Sequence, residues 1–174
     1  PGPFSTFRGY DRVSLVHDGG GLRLTHGDEP PVDLTPLRPH RFSGDVATYG
    51  APLHGPVQDA NLFLRAGVVD GTLAAYEPTS PLTLRLGPGL VFLHAARGAL
   101  RIRGSALGDW LLPEGSSLSV SDSSSGSGCG SGSEFAPILV SSFDETPVGV
   151  AVRRTPLLLM ATVRRAAVDG ESGP

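Results

Sequence analysis

Lysine is absent from this chain: all fourteen basic residues among its 174 are arginine. A Schiff-base lysine, a P-loop lysine and a pyridoxal-phosphate anchor are thereby excluded. Cysteine is nearly absent too. With Cys129 alone, neither an intrachain disulfide nor a multi-cysteine zinc site can form. Aromatic residues make up only 6% of the chain and charged residues 18%. The most apolar stretch, Leu157 to Val163, is far shorter than the roughly 20 residues a membrane-spanning helix needs. No secretory leader is recognisable, so a cytoplasmic protein without membrane contact is the expectation. A formal charge of -3 supplies no basic face to neutralise phosphates, and nucleic acid is not expected as a partner.

Glycine and proline, by contrast, are plentiful at 24 and 16 residues. They are scattered without a three-residue period, which excludes collagen and leaves little room for a long helix. Between them, apolar and polar residues alternate with period two in Val13 to Val16, Leu22 to Thr25, Thr72 to Tyr76, Leu82 to Leu86 and Leu90 to Leu93. The same alternation recurs in Leu100 to Arg103 and Leu118 to Val120, and the apolar run Leu157 to Val163 reads as a strand with them. Turn chemistry separates these runs, as in Asp18-Gly19-Gly20-Gly21, Gly87-Pro88-Gly89 and the stretch Gly104 to Asp109. Many short strands at near-regular spacing predict an all-β antiparallel sandwich or barrel. Serine and glycine dominate residues 121–133, which hold too little apolar surface to offset their ordering entropy. A flexible loop carrying Cys129 as an exposed thiol is expected there, and a disordered tail over residues 166–174.

Catalytic and metal signatures are sparse. The triplet Gly19-Gly20-Gly21 is followed by Leu22-Arg23-Leu24, which alternates as a strand, whereas a phosphate cradle needs a helix at that point. His17, His26, His40, His54 and His94 are never two or four residues apart, so no single strand or helix chelates a metal. No metal and no cofactor are therefore expected. The segment Gly55-Pro56-Val57-Gln58-Asp59-Ala60-Asn61 holds the only Gln and the only Asn of the chain, and Arg65 follows. On an extended backbone Asp59 and Asn61 face the same way and present an acceptor and an amide together to a polar ligand. An Asx turn at the mouth of a strand explains the same spacing equally well. Near the start, Asp11 and Arg12 precede a strand and, taken alone, read as a turn with a surface charge pair.

Taken together, these segments resemble the HutD/Ves family, bacterial cupin-fold proteins associated with histidine utilisation. The likeness rests on Gly2-Pro3-Phe4-Ser5-Thr6-Phe7, Gly9-Tyr10-Asp11-Arg12, Gly20 to Leu24, Pro39 to Asp45 and Gly55 to Leu62. Leu107-Gly108-Asp109-Trp110 resembles the Gly-Asp turn before a late cupin strand. Family members usually begin with a Trp-x-Asn-Gly-Gly-Gly-x-Thr segment, absent here, so a truncated member is expected; the Ser/Gly insertion is unusual for the family.

The resemblance implies an RmlC-like bicupin of antiparallel β-barrels or sandwiches. Residues 1–64 would be the remainder of the first cupin half and residues 65–165 the second. It also implies a non-catalytic, regulatory protein that binds a small carboxylate from histidine breakdown, such as formylglutamate. Arg12 or Arg65 would clamp the carboxylate, and Asp59 with Asn61 would read amide and amine groups. His54 completes the candidate set, as the general base of the rival reading, a metal-independent cupin isomerase or epimerase. A truncated relative without ligand is the third reading. The resemblance leaves room for a homodimer.

Overall fold

The structure, a computed structural model, describes residues 1–87, 89–105, 107–121, 137–143 and 155–166. Residues 122–133 of the Ser/Gly insertion, Cys129 among them, and tail residues 167–174 lie outside the described residues. No helix occurs among the described residues, so the all-β antiparallel class expected from the glycine and proline spacing is the one observed.

The chain opens with β1 (Gly2–Pro3), β2 (Tyr10–Asp18), β3 (Leu22–His26), β4 (Val32–Leu34), β5 (His40–Ser43), β6 (Thr48–Pro52) and β7 (Gln58–Arg65). It continues with β8 (Val69–Tyr76), β9 (Leu82–Leu84), β10 (Leu90–Arg97), β11 (Leu100–Gly104), β12 (Gly108–Leu112), β13 (Ser117–Ser121), β14 (Ile138–Ser142) and β15 (Leu157–Arg165). The first seven strands form two sheets, ordered β1-β6-β3-β4 and β5-β2-β7. The remainder form two more, ordered β13-β10-β15-β8 and β12-β11-β14-β9. Every pairing is antiparallel.

Three apolar clusters stack these sheets as four layers. In the first half Val16 of β2 meets Leu22, Leu24 and Leu34 of the opposite sheet. In the second, Val91, Leu93, Leu158 and Met160 pack against Leu100, Ile102, Ile138 and Val140. Between the halves, Val13, Leu15 and Leu64 on the outer face of the β5-β2-β7 sheet meet Leu73, Leu157 and Leu159. Strand β15 therefore serves two cores at once. Its even residues face one core and its odd residues the other, which is why Leu157-Leu158-Leu159-Met160 is continuously apolar where a half-buried strand would alternate. Gly71 lets β8 come this close, since a Cβ there would overlap the carbonyl oxygen of Thr162 on β15.

Two stretches read as turns in the sequence are strand. Tyr10-Asp11-Arg12 belongs to β2, and Arg12 is buried and does not pair with Asp11, whose carboxylate instead accepts from Arg41 at 2.7 Å. Gly108-Asp109 begins β12, held to β11 by a two-toothed Arg101 to Asp109 contact at 2.9 and 2.8 Å. In both places the ladder of a neighbouring strand overrides the local turn preference of Gly and Asp.

Candidate anion site in the first half

The register of β2 against β7 and β5 fixes what faces the interior of the first half. Arg12 lies opposite Phe63 and Phe42, Ser14 opposite Asn61 and His40, and Val16 opposite Asp59. Because side chains alternate, Val13 and Leu15 point to the inter-half core while Arg12, Ser14 and Val16 point inward. The second half fills its equivalent space with aliphatic side chains; the first half places polar groups there.

Arg12 is only 6% exposed. Its Nε donates to Asn61 Oδ1 at 2.8 Å, and the Ser14 hydroxyl donates to the same oxygen. Asn61 Nδ2 donates in turn to Asp59 Oδ2 at 2.6 Å. The guanidinium carbon sits 4.2 Å from the centroid of the Phe4 ring, 5.1 Å from that of Phe63 and 5.5 Å from that of Phe42. Cation–π attraction to three rings holds the charge in place, yet no carboxylate forms an ion pair with it among the described residues. Burial accordingly lowers the pKa of Arg12, opposed by the nearby charge of Asp59. Among the described residues the two terminal nitrogens of Arg12 make no hydrogen bond, and neither is sealed from solvent. They border an open cleft of about 440 Å³ whose lining includes Phe4, Phe7, Arg12, Val57 and Asp59.

The N-terminal segment forms much of that lining. Gly2 and Pro3 pair with Gly50 and Tyr49, and the Phe4 amide donates to the Thr48 carbonyl at 2.8 Å. Gly50 is required here, because a Cβ would overlap the Phe4 ring that lies on Arg12. Phe7 then packs on Phe63 with centroids 4.3 Å apart.

Three of the five residues singled out in the sequence, Arg12, Asp59 and Asn61, come together. Arg65 does not join them. It is exposed at the far end of β7, six residues from Asp59 on the same strand, or about 20 Å at the rise of an extended chain. His54 is exposed in the loop between β6 and β7, its Cβ against Gly20, and does not line the cleft. The role of Asn61 also differs from a ligand reader: its oxygen holds Arg12 and Ser14 and its nitrogen holds Asp59, so it positions the cation.

A second polar group shares this interior. His26, 5% exposed, places Nδ1 2.9 Å from Thr48 Oγ1 and Nε2 3.3 Å from His40 Nε2. The Thr48 hydroxyl donates to the Val46 carbonyl, so it accepts from His26 Nδ1–H, and His40 Nε2–H donates to His26 Nε2. Burial lowers the pKa of both histidines, and in His26 the neighbouring His40 adds to it. Phe42 separates the pair from Arg12, with its ring 4.6 Å from that of His26. Ser14 was legible as the alternate neighbour of Arg12 on β2. His26 and His40 carried no local signal, being joined only by the facing of two sheets.

The sequence model of the family described as HutD matches residues 1–130. An uncharacterized 21.2 kDa protein in the hutC 3' region of Pseudomonas putida is 34% identical over 90 residues, covering 48% of this chain. The match spans 47% of that relative's own length. Among solved structures, HutD from Pseudomonas fluorescens SBW25 aligns with a TM-score of 0.65 at 22% identity, over 95% of this chain and 74% of that one. A conserved protein of unknown function from Pseudomonas aeruginosa PAO1 aligns with a TM-score of 0.73 at 18% identity, over 95% and 77%. At these identities the structures show a shared fold, the antiparallel all-β cupin fold.

Proposed function

This chain belongs to the HutD family, and on that premise we propose that its first half is a receptor for a small carboxylate, with a regulatory and not a catalytic role. One observation carries the reading: Arg12 is a nearly buried cation that among the described residues has no paired anion, and its two terminal nitrogens, without a hydrogen bond among those residues, face a cleft. Burying a charge is costly unless an opposite charge and hydrogen bonds answer it. A ligand carboxylate would supply both, as a forked contact to the two terminal nitrogens. Asp59, on the same cleft, suits an amide N–H of the ligand, and Asn61 with Ser14 keeps the fork aimed. N-formylglutamate has this combination of carboxylates and amide. The hutC 3' location of the Pseudomonas putida relative is the reason to test acids of histidine breakdown first.

The isomerase reading relied on His54 as base, and that side chain is outside the cleft. Binding is the reading kept. Its test is calorimetric titration of N-formyl-L-glutamate, formate and acetate into wild-type, Arg12→Lys and Asn61→Ala protein. Arg12→Lys keeps the charge but loses the planar fork, so affinity should fall at least tenfold, and Asn61→Ala should weaken binding by misaiming Arg12. Equal affinity in wild type and Arg12→Lys, or no binding of any of the three acids, refutes the proposal.

A further inference from the structure

A carboxylate on Arg12 accounts for one end of its cleft and leaves the rest of the lining without a role. The space, about 440 Å³, exceeds what formate or acetate fills. Among the described residues Arg12 is its only cationic side chain and Asp59 its only acidic one. Most of the lining is apolar: Pro3, Phe4 and Phe7 from the N-terminal segment, Leu22 of β3, Pro52 of β6 and Val57 just before β7.

The backbone sets these apolar groups beside the cation. Leu22 and Pro52 are cross-strand partners, so their side chains stand next to each other on one face of the sheet. Phe63 follows Asn61 on the same face of β7, and its ring centroid lies 5.1 Å from the Arg12 guanidinium carbon and 4.3 Å from the Phe7 centroid. Phe7 is tied down on both sides of its peptide unit: its amide donates to the Gly44 carbonyl at 2.9 Å, and its carbonyl accepts from the Tyr10 amide at 3.2 Å. Yet Phe7 is 41% exposed and Phe63 37%. A lone exposed phenylalanine is ordinary, whereas two in contact, running outward from a buried cation, make an apolar shelf where a bound molecule would lie.

Resting on the carboxylate reading above, we propose that this site selects monocarboxylates with an apolar body over dicarboxylates of similar length. The single carboxylate takes the Arg12 fork, and the carbon body covers Phe7 and the Leu22–Pro52 wall. A second carboxylate finds no second cationic side chain in the lining; it meets apolar surface or the like charge of Asp59. It must therefore stay in water, and the carbons that carry it are held off the shelf. N-formyl-L-glutamate is accordingly accepted through one carboxylate and its amide, with its side chain adding little.

The test is calorimetric titration of the full chain with N-formylglycine, N-formyl-L-norleucine and N-formyl-L-glutamate. All three share the α-carboxylate and the formamide N–H, so only the side chain varies. A buried methylene is worth about fourfold in affinity, so covering half of the norleucine side chain gives about tenfold. Norleucine should bind at least tenfold more tightly than the glycine derivative and at least fivefold more tightly than the glutamate one. Phe7→Ala should narrow the norleucine-to-glycine ratio to below threefold, and Phe7→Leu, which keeps an apolar side chain, should restore it. Should Phe7→Ala fail to fold, Pro52→Ser takes its place, with the same narrowing expected. Binding of none of the three acids overturns the carboxylate reading and this proposal with it. Equal affinity for all three, or tightest binding of the glutamate derivative, with every acid still weakened by Arg12→Lys, leaves the carboxylate reading standing and overturns the selectivity. A norleucine preference that survives both Phe7→Ala and Pro52→Ser overturns it as well.

Discussion

Replacing Arg12 by methionine should make the ligand-free protein more stable while abolishing carboxylate binding. The wild-type side chain is 6% exposed and has no ion pair among the described residues, and the effective penalty for burying such an ion is several kcal/mol. Against it stand one charge-assisted hydrogen bond to Asn61 at 2.8 Å, worth about 1.5–3 kcal/mol, and a cation–π contact with Phe4 at 4.2 Å, worth about 1–2 kcal/mol. These offsets roughly cancel the penalty. Methionine is of similar length, and its sulfur gains about 0.3–1.5 kcal/mol from each favourable aromatic contact. Nothing is orphaned by the change. Asn61 Oδ1 still accepts from Ser14, and Nδ2 still donates to Asp59. The expected gain is about 1–2 kcal/mol, which raises Tm by about 2–4 °C per kcal/mol in a chain of this size. Urea unfolding measures it as a higher midpoint at unchanged m, and calorimetry on the same samples should show loss of N-formyl-L-glutamate binding. A loss of more than about 2 kcal/mol at unchanged m would show Arg12 to be a structural keystone, and retained affinity would show that it does not hold the ligand.

Gly50→Ala drives a methyl into the Phe4 ring, so Phe4 must leave Arg12. Stability should fall by about 1–3 kcal/mol and carboxylate affinity with it, and an unchanged urea midpoint and affinity would count against the stacked geometry. Gly71→Ala meets backbone, the Thr162 carbonyl on β15, which cannot rotate away. It should cost more than Gly50→Ala in thermal unfolding yet leave ligand affinity of the folded fraction unchanged. His26, His40 and His17 all have pKa values lowered by burial, so below pH 6.5 the unfolded chain takes up protons that the folded chain refuses. Their stabilising effect is complete above the unfolded value of about 6.5 and is lost as pH falls through the folded values, with a slope of at most about 1.4 kcal/mol per pH unit per group. Urea midpoints from pH 7.5 to 5 should fall, and fall less steeply in His40→Gln; a flat profile would contradict the buried pair.

The sequence announced its strands wherever burial is simple. Leu100-Arg101-Ile102-Arg103 alternates because β11 has one face in the second core and the other in solvent. The strands that alternation did not reveal are short ones or those with a polar interior. In β5 the inward residues are His40 and Phe42, and in β7 they are Asp59, Asn61 and Phe63, so an inside-apolar rule misses both. Taken alone, Arg12 reads as a surface residue for the same reason, since residue type gives no sign that a cation is buried; only the family resemblance directs it to a ligand site. Asp59 and Asn61 were found because a period of two puts them on one face, while Arg65 shares that parity but lies too far along the strand. Same-face spacing gives direction, and only cross-strand register gives convergence.

That distinction bears on how the fold divides its labour. Among the described residues every buried side chain of the second half is apolar, and β15 extends the same packing into the inter-half core. The first half gives up part of its apolar interior to Arg12, Asp59, Asn61, His26 and His40, a sacrifice of hydrophobic stabilisation that a domain of some 65 residues standing alone would tolerate poorly. Docking β2 and β7 on β8 and β15 supplies what is missing, through Val13, Leu15 and Leu64 on the reverse face of the strands that carry the polar site. Strand β2 shows the coupling residue by residue: alternate positions anchor the halves together and aim the guanidinium. If that coupling holds, Leu15→Ala, which touches no ligand, should weaken carboxylate binding as it loosens the inter-half core, in addition to the loss of about 2–5 kcal/mol typical of such a truncation. Leu93→Ala, in the second core, should show a comparable stability loss with affinity retained. The contrast between the two, measured by urea unfolding and calorimetry on folded protein, decides whether the inter-half face supports the site or only the fold.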